Sequence, residues 1–181
     1  MRLRQATAGG REREAGWERL EALYRSSRDD VYAYVVTLLG DRASAEDVTA
    51  LAFERAYARR RRFDRRRGEE RAWLFGIARN AALDELRRRR RTATLLAEPE
   101  ALAEGALASP DDSDELELRR SAVRAALAAL TPRERELIAL KFHAGLTNAE
   151  LASVLGVSVS NAGTMLHRAV QKLRSAVNAP V

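Results

Sequence analysis

Between Thr147 and Leu166 the small and apolar residues are spaced so that two short helices meeting at a steep angle accommodate them. The two helices must approach closely where they cross, and Ala152 supplies the small side chain there. The tight turn between them needs a residue that tolerates positive φ, which Gly156 does without strain. Val157 plugs the corner, Leu151, Leu155, Ala162 and Leu166 share a core, and Ser158 caps the second helix. The run Asn148-Ala-Glu-Leu-Ala-Ser-Val-Leu-Gly-Val-Ser-Val-Ser-Asn-Ala thus predicts a helix-turn-helix. At about 100° per residue, Val159, Ala162, Leu166, Ala169, Val170, Leu173 and Val177 fall on one arc of its second helix. Ser160, Asn161, Thr164, His167, Arg168, Gln171 and Lys172 lie opposite. Every surface helix has a solvated face, but after this turn a polar, partly basic face suits a DNA major groove.

The rest of the chain also reads as helical. Beta-branched residues are sparse, strand-like alternation is missing, and helix start signals recur. Ser44-Ala-Glu-Asp47, Thr131-Pro-Arg-Glu134 and Thr147-Asn-Ala-Glu150 have the form of capping boxes, and Gly145 and Gly156 sit where helices should end. Helices are expected near 17–26, 29–39, 44–61, 70–90, 115–129, 133–144, 148–155 and 159–177. Residues 92–113 hold Pro99, Gly105 and Pro110 with only scattered apolar residues, and read as a linker. The expectation is an all-α chain of two small helical domains, 17–91 and 114–178, joined by that linker, with 1–16 a loose tail.

Charge separates the first domain from the linker. Of the 32 basic residues 30 are arginine, a choice that base composition of the genome explains, but their placement it does not. From Arg59 to Arg91 there are 14 arginines against five acids, and from Thr92 to Leu118 eight acids and no base. The first block is suited to a polyanion and the second would be repelled by one. Within the basic block, Arg71-AWLFGIARNAALDELRRRRR predicts a helix with Leu74, Ile77, Ala78, Ala81 and Ala82 on its apolar face. Another face aligns Trp73, Gly76, Asn80, Leu83, Asp84 and Arg87. Arginines around Phe63 and Trp73 suit phosphates beside an unstacked base, although Trp73 fits a core role equally well. Asp84 and Glu85 are expected to temper the arginine block.

With these motifs in hand, the chain resembles an extracytoplasmic-function (ECF) sigma factor of the bacterial sigma-70 family. The resemblance covers about residues 17–91 and 119–177 and rests on named runs. These are Ala45-Glu-Asp47 with Phe53, Arg71-Ala-Trp-Leu74 with Ile77-Ala-Arg-Asn80 and Asp84, and Leu130-Thr-Pro-Arg-Glu134, Gly145-Leu-Thr-Asn-Ala-Glu150 and Leu166-His-Arg168. It implies that Glu46, Asp47 and Phe53 dock on the beta-prime clamp helices of core RNA polymerase. It implies that Phe63, Arg66, Arg67, Arg71, Trp73, Asn80, Arg87 and Arg88 read the −10 element, flipping a non-template base from the stack. Ser160, Asn161, Thr164, His167, Arg168 and Lys172 would read −35 as duplex, in a domain that also touches the beta flap. The acidic linker would line the RNA exit path, and an anti-sigma factor would be a further partner. Four residues depart from the family pattern. Ala50 and Leu51 replace polar docking residues, and Gly163 and Met165 replace basic ones in the recognition helix.

Other readings are weaker. Residues 130–173 also resemble the output domain of LuxR-type regulators, which would bind a palindrome as a dimer; that leaves the Trp73 helix unexplained. An enzyme finds little support, since His143 and His167 lack metal-ligand spacing and no glycine-rich phosphate loop is present. No catalytic residue, metal or cofactor is therefore expected. A protein-binding adaptor, with the basic block holding an acidic partner, would show little salt-sensitive affinity for DNA. There are no cysteines, no apolar run approaches the roughly 20 residues that span a bilayer, and the first residues lack a signal peptide's apolar stretch. The sequence reads as a cytoplasmic protein with no membrane insertion.

Overall fold

The computed structural model describes residues 3–64, 66, 68–96, 121, 123 and 125–177, and no strand occurs among them. The first domain is built from α1 (Leu3–Leu39), α2 (Arg42–Arg59), a 3-10 turn (Arg60–Arg62) and α3 (Glu70–Leu96). The second contains α4 (Pro132–Phe142), α5 (Asn148–Leu155) and α6 (Val159–Val177), with helical backbone at 125–128 just before α4.

Local sequence accounts for the helix ends. Gly40 takes φ 66° after α1, and Asp41 then caps α2 by accepting the Ser44 N–H at 3.0 Å. This start lies ahead of the Ser44 box expected from sequence, because Asp41 already supplies the acceptor that the first turn needs. The other two boxes form: Thr131 with Glu134 and Thr147 with Glu150 exchange side-chain and backbone bonds reciprocally. Gly145 and Gly156 adopt φ 66° and 67°. Two differences concern α1 and α3. α1 is continuous through 27–28, where the Ser26 hydroxyl turns back to the Leu23 carbonyl, and its backbone extends up to Leu3. α3 runs on to Leu96, so the expected linker begins inside a helix; residues 97–120 lie outside the described residues.

One apolar core crosses both domains. Val31, Tyr34 and Val35 of α1, Ala52 of α2, and Leu74, Phe75 and Ala78 of α3 join Leu137, Leu140, Leu146 and Leu151 in a single cluster. A smaller cluster of Leu130, Ile138 and Ala169 fixes α6 on α4. The sequence leaves open whether the two domains are held together; in this structure α1 packs on α4 and α3 on α5.

Candidate nucleic-acid interface

α3 divides its faces as its periodicity predicts. Leu74, Ile77, Ala78, Ala81 and Ala82 are buried, while Asn80, Asp84 and Arg87 are exposed. Gly76, one turn before Asn80, has open space where a Cβ would stand, so the backbone there is approachable. Phe63 and Trp73 are half-buried and lie with ring centroids 5.2 Å apart at 45°, bridging the loop to the helix. Beside them Arg60 donates to the Tyr57 carbonyl and lies over its ring, while Arg61, Arg62 and Arg66 are exposed. Asp64 accepts the Arg66 N–H at 3.0 Å and shapes that loop. Arg67 lies outside the described residues.

Much of the arginine block is neutralised by the chain itself. Arg88 holds Glu85 with two bonds of 2.7 Å, and Arg89 adds a third at 3.0 Å. Those bonds, chiefly from Arg88, hold the Glu85 carboxyl below its ordinary range, and Glu85 raises Arg88 in return. Asp84 accepts from both Arg87 and Arg55. The tempering role expected of these two acids is thus visible as ion pairs. Arg71 goes further: it faces the second domain and bonds to its backbone. Neither Arg79 nor Arg89 was singled out by the sequence, yet each bridges distant segments; their partners lie too far along the chain to leave a local signal.

On α2, Glu46 and Asp47 are exposed near the start of the helix. Phe53 is only 8% exposed and meets Tyr24 edge-on at 4.8 Å, so it supports this surface from beneath rather than forming it. Ala50 is exposed, whereas Leu51 packs against the core.

α6 presents Ser160, Asn161, Thr164, His167, Arg168 and Lys172 to solvent, as its periodicity predicts. The Ser158 hydroxyl accepts the Asn161 N–H at 3.2 Å and caps the helix. Lys172 is tied to Glu134 of α4 at 2.9 Å, and this bond holds the Glu134 carboxyl below its usual range. Val159, expected on the apolar arc, is 54% exposed, because the first residue of the helix projects beyond the core. Gly163 faces the other helix of the motif, where an added Cβ would meet the Asn148 side chain at 3.4 Å. Met165 packs half-buried against the core. Both departures therefore point inward, away from the exposed polar arc.

His143, at the end of α4, is pushed down by burial and raised in part by Asp30. Among the described residues no three His, Asp or Glu side chains are grouped to hold a metal. No described helix is long and apolar enough to cross a membrane.

Comparison with known proteins matches two families in chain order. Sigma-70 region 2 matches residues 23–92 and Sigma-70 region 4 matches 120–173. The chain is 31% identical over 155 residues to the ECF RNA polymerase sigma factor SigL of Mycobacterium tuberculosis, covering 86% of each protein. It is 34% identical over 151 residues to the ECF sigma factor BldN of Streptomyces coelicolor, covering 83% of this chain and 57% of that longer relative. Among solved structures, CnrH in complex with the cytosolic domain of CnrY superimposes with a TM-score of 0.62 at 25% identity, over 90% of this chain and 89% of that one. The sigma factor RpoE from Bartonella quintana, solved with the anti-sigma factor NepR, gives a TM-score of 0.73 at 20% identity, covers 89% of this chain and 98% of its own, and shares the fold. The LuxR-type alternative is not supported, since it accounts for only the second domain. The chain belongs to the sigma-70 family, among the ECF sigma factors of bacterial RNA polymerase.

Proposed function

We propose that this sigma factor docks on core RNA polymerase through the α2 surface of Glu46 and Asp47, with Phe53 and Leu51 supporting it, and carries two separate promoter-reading surfaces. The first is the α3 face of Asn80, Trp73 and Arg87 with Phe63 and the neighbouring arginines, including Arg66, Arg67 and Arg88. It would take the −10 element as an unstacked strand, its aromatic pair offering a stacking platform and its arginines phosphate contacts. The second is the α6 arc of Ser160, Asn161, Thr164, His167, Arg168 and Lys172, which would read the −35 element in the major groove. Both act in the cytoplasm, the compartment of polymerase, and neither performs a catalytic step. The assignment divides the chain into 17–91, the acidic linker 92–113 along the RNA exit path, and 114–178, which also meets the beta flap. Because RpoE was solved with NepR and CnrH with CnrY, an anti-sigma factor is proposed as a further partner.

The observation that carries this reading is the pair of exposed polar faces, Asn80 on α3 and the Ser160–Arg168 arc on α6, in one chain and in family order. Run-off transcription with core polymerase stripped of its own sigma factor, on a promoter library from the source genome, tests it. Start sites that depend on the added chain support the reading, and their upstream sequences report both elements. Tight DNA binding without polymerase, and no transcripts, would overturn it.

A further inference from the structure

Two carboxylates of the second domain close capping boxes of the same form, and one of them takes a further partner. At the start of α5, Glu150 Oε2 accepts the Thr147 N–H and hydroxyl, both at 2.7 Å. At the start of α4, Glu134 Oε2 accepts the Thr131 N–H at 2.7 Å and the Thr131 hydroxyl at 3.0 Å. The same Glu134 oxygen also receives the Lys172 ammonium of α6 at 2.9 Å, from 38 residues along the chain. Among the groups that hold the Glu134 carboxyl below its ordinary range, Lys172 comes first.

The ammonium is not placed there by the helix it meets. The start of α4 is the positive end of a helix dipole, which favours a carboxylate and disfavours a cation. Glu134 supplies the attraction, and its two bonds to Thr131 already fix it, so the pair need order only the lysine. At about 100° per residue, Lys172 stands about 20° from Asn161 and about 40° from Arg168 around α6, and about 16 Å along the axis from Asn161. With the first turns of α6 in a major groove, that position lies at the flank, level with the sugar-phosphate backbone. The Lys172 and Glu134 side chains are 44% and 25% exposed, so an incoming phosphate competes with the carboxylate for one ammonium. Lysine suits such a competition, because its charge is compact and its stem flexible.

We propose that Glu134 is a positioning residue for duplex binding, which draws Lys172 away from the phosphates beside the −35 element and so limits the sequence-independent part of the affinity. The proposal rests on the reading of α6 as the duplex-facing arc. Glu134 acts through Lys172. While the two are paired, the arc meets the duplex with one phosphate contact fewer, and base readout at the start of α6 carries a larger share of the binding.

The test uses the full chain without polymerase, titrated onto a fluorescein-labelled duplex of mixed sequence across a potassium chloride series. Glu134→Gln keeps a side-chain oxygen for the Thr131 bonds, as a capping box allows, and removes the charge. It should raise affinity by about two- to fivefold at physiological salt and steepen the log–log salt dependence by roughly 0.9, the value of one phosphate contact. Lys172→Gln should cost little in the parent, where the ammonium is withheld, yet abolish the whole gain in the Glu134→Gln chain. Loss of a merely structural cap would weaken binding without steepening the slope. An unchanged slope in Glu134→Gln overturns the proposal. So does a gain that survives Lys172→Gln, since Glu134 would then act on the duplex by its own charge. Should Glu134→Gln fail to fold, Lys172→Gln in the parent decides: an unchanged slope supports the proposal, and one shallower by roughly 0.9 overturns it, because Lys172 would already hold a phosphate. Arg168→Ala in the same assay tests the underlying reading. If it weakens binding while Glu134→Gln changes nothing, the proposal alone falls; if neither changes anything, the reading of α6 falls with it.

Discussion

Arg89 reaches from the arginine block of α3 to the start of α2, placing Nη2 3.1 Å from Asp41 Oδ2. The same guanidinium donates to the Leu39 carbonyl at 3.3 Å and to Glu85 at 3.0 Å. It thus joins the end of α1, the cap of α2 and the middle of α3. Arg88, next to it, makes the shorter bidentate pair with Glu85, but its side chain is 64% exposed. Burial decides between them: water and salt weaken an ion pair made by an exposed guanidinium more than one made by a guanidinium that is largely covered, as Arg89 is at 28% exposure. Arg89→Ala should therefore lower the urea midpoint clearly and Arg88→Ala hardly at all. Equal losses would mean that the bidentate geometry, not the shielding, matters.

Acid and alkali should each erode stability, for different reasons. Asp41 is held below the ordinary carboxylate range by Ser44, Glu85 by Arg88 and Arg89, and Glu134 by Lys172. The folded chain thus binds fewer protons at these groups than the unfolded one. Their contribution is full above the ordinary carboxylate range and is lost as pH falls through the depressed folded values. Tyr34 is raised by burial, so its contribution is full below the ordinary tyrosine range and is lost as pH climbs toward the raised folded value. Urea midpoints against pH should show a plateau between these limits. Asp41→Asn should flatten the acid limb, and Tyr34→Phe the alkaline one.

Asn80→Ala should reduce promoter opening while core-polymerase binding stays near normal. Asn80 is exposed on α3, beside the open backbone of Gly76, and lies on a different element from Glu46 and Asp47 of α2. Permanganate footprinting of the melted strand and a polymerase pull-down separate the two effects. Loss of the pull-down would reassign this face to polymerase.

Arg168→Ala should weaken −35 binding by about 1–3 kcal/mol where the guanidinium reads a base. The discriminating measurement is affinity for the cognate and a scrambled duplex across a salt series. An equal loss on both duplexes, with a shallower salt slope, would mark a phosphate contact only.

What the sequence made legible depends on the span over which each interaction acts. The boxes at Thr131 and Thr147 close over three residues, and the turn at Gly156 is set by one φ angle, so local letters were enough. The start of α2 was misplaced because Asp41 and Ser44 compete as caps, and only the fold shows which oxygen meets which N–H. The apolar and polar faces of α3 and α6 follow from periodicity, except at Val159 and Val177, which are exposed at the two ends of α6. Phe53 was assigned to a surface by resemblance, yet its ring is covered by Tyr24 from another helix. Arg71 illustrates the limit: its acceptors are Ser26, Ser27, Asp30, His143 and Ala144, three of them backbone carbonyls, which no side-chain pattern announces.

Gly163→Ala should stabilise the protein, although Gly163 lies at a helix crossing where a small residue would ordinarily be required. Glycine inside a helix is less favourable than alanine by about 1 kcal/mol, because its unfolded backbone has more freedom to lose. Against this stands one contact: the new Cβ would meet Asn148 Nδ2 at 3.4 Å. That atom is the end of a rotatable side chain on an exposed residue, so a small rotation relieves the approach. Backbone entropy should win, raising Tm by roughly 2–4 °C for a chain of this size. Since Gly163 points at Asn148 rather than along the exposed arc, duplex affinity should stay within about twofold of the parent, a difference worth ~0.4 kcal/mol. A lower Tm would show that Asn148 is fixed in place. A higher Tm with lost duplex binding would show that the flexibility of α6 at Gly163 contributes to its seating in the groove.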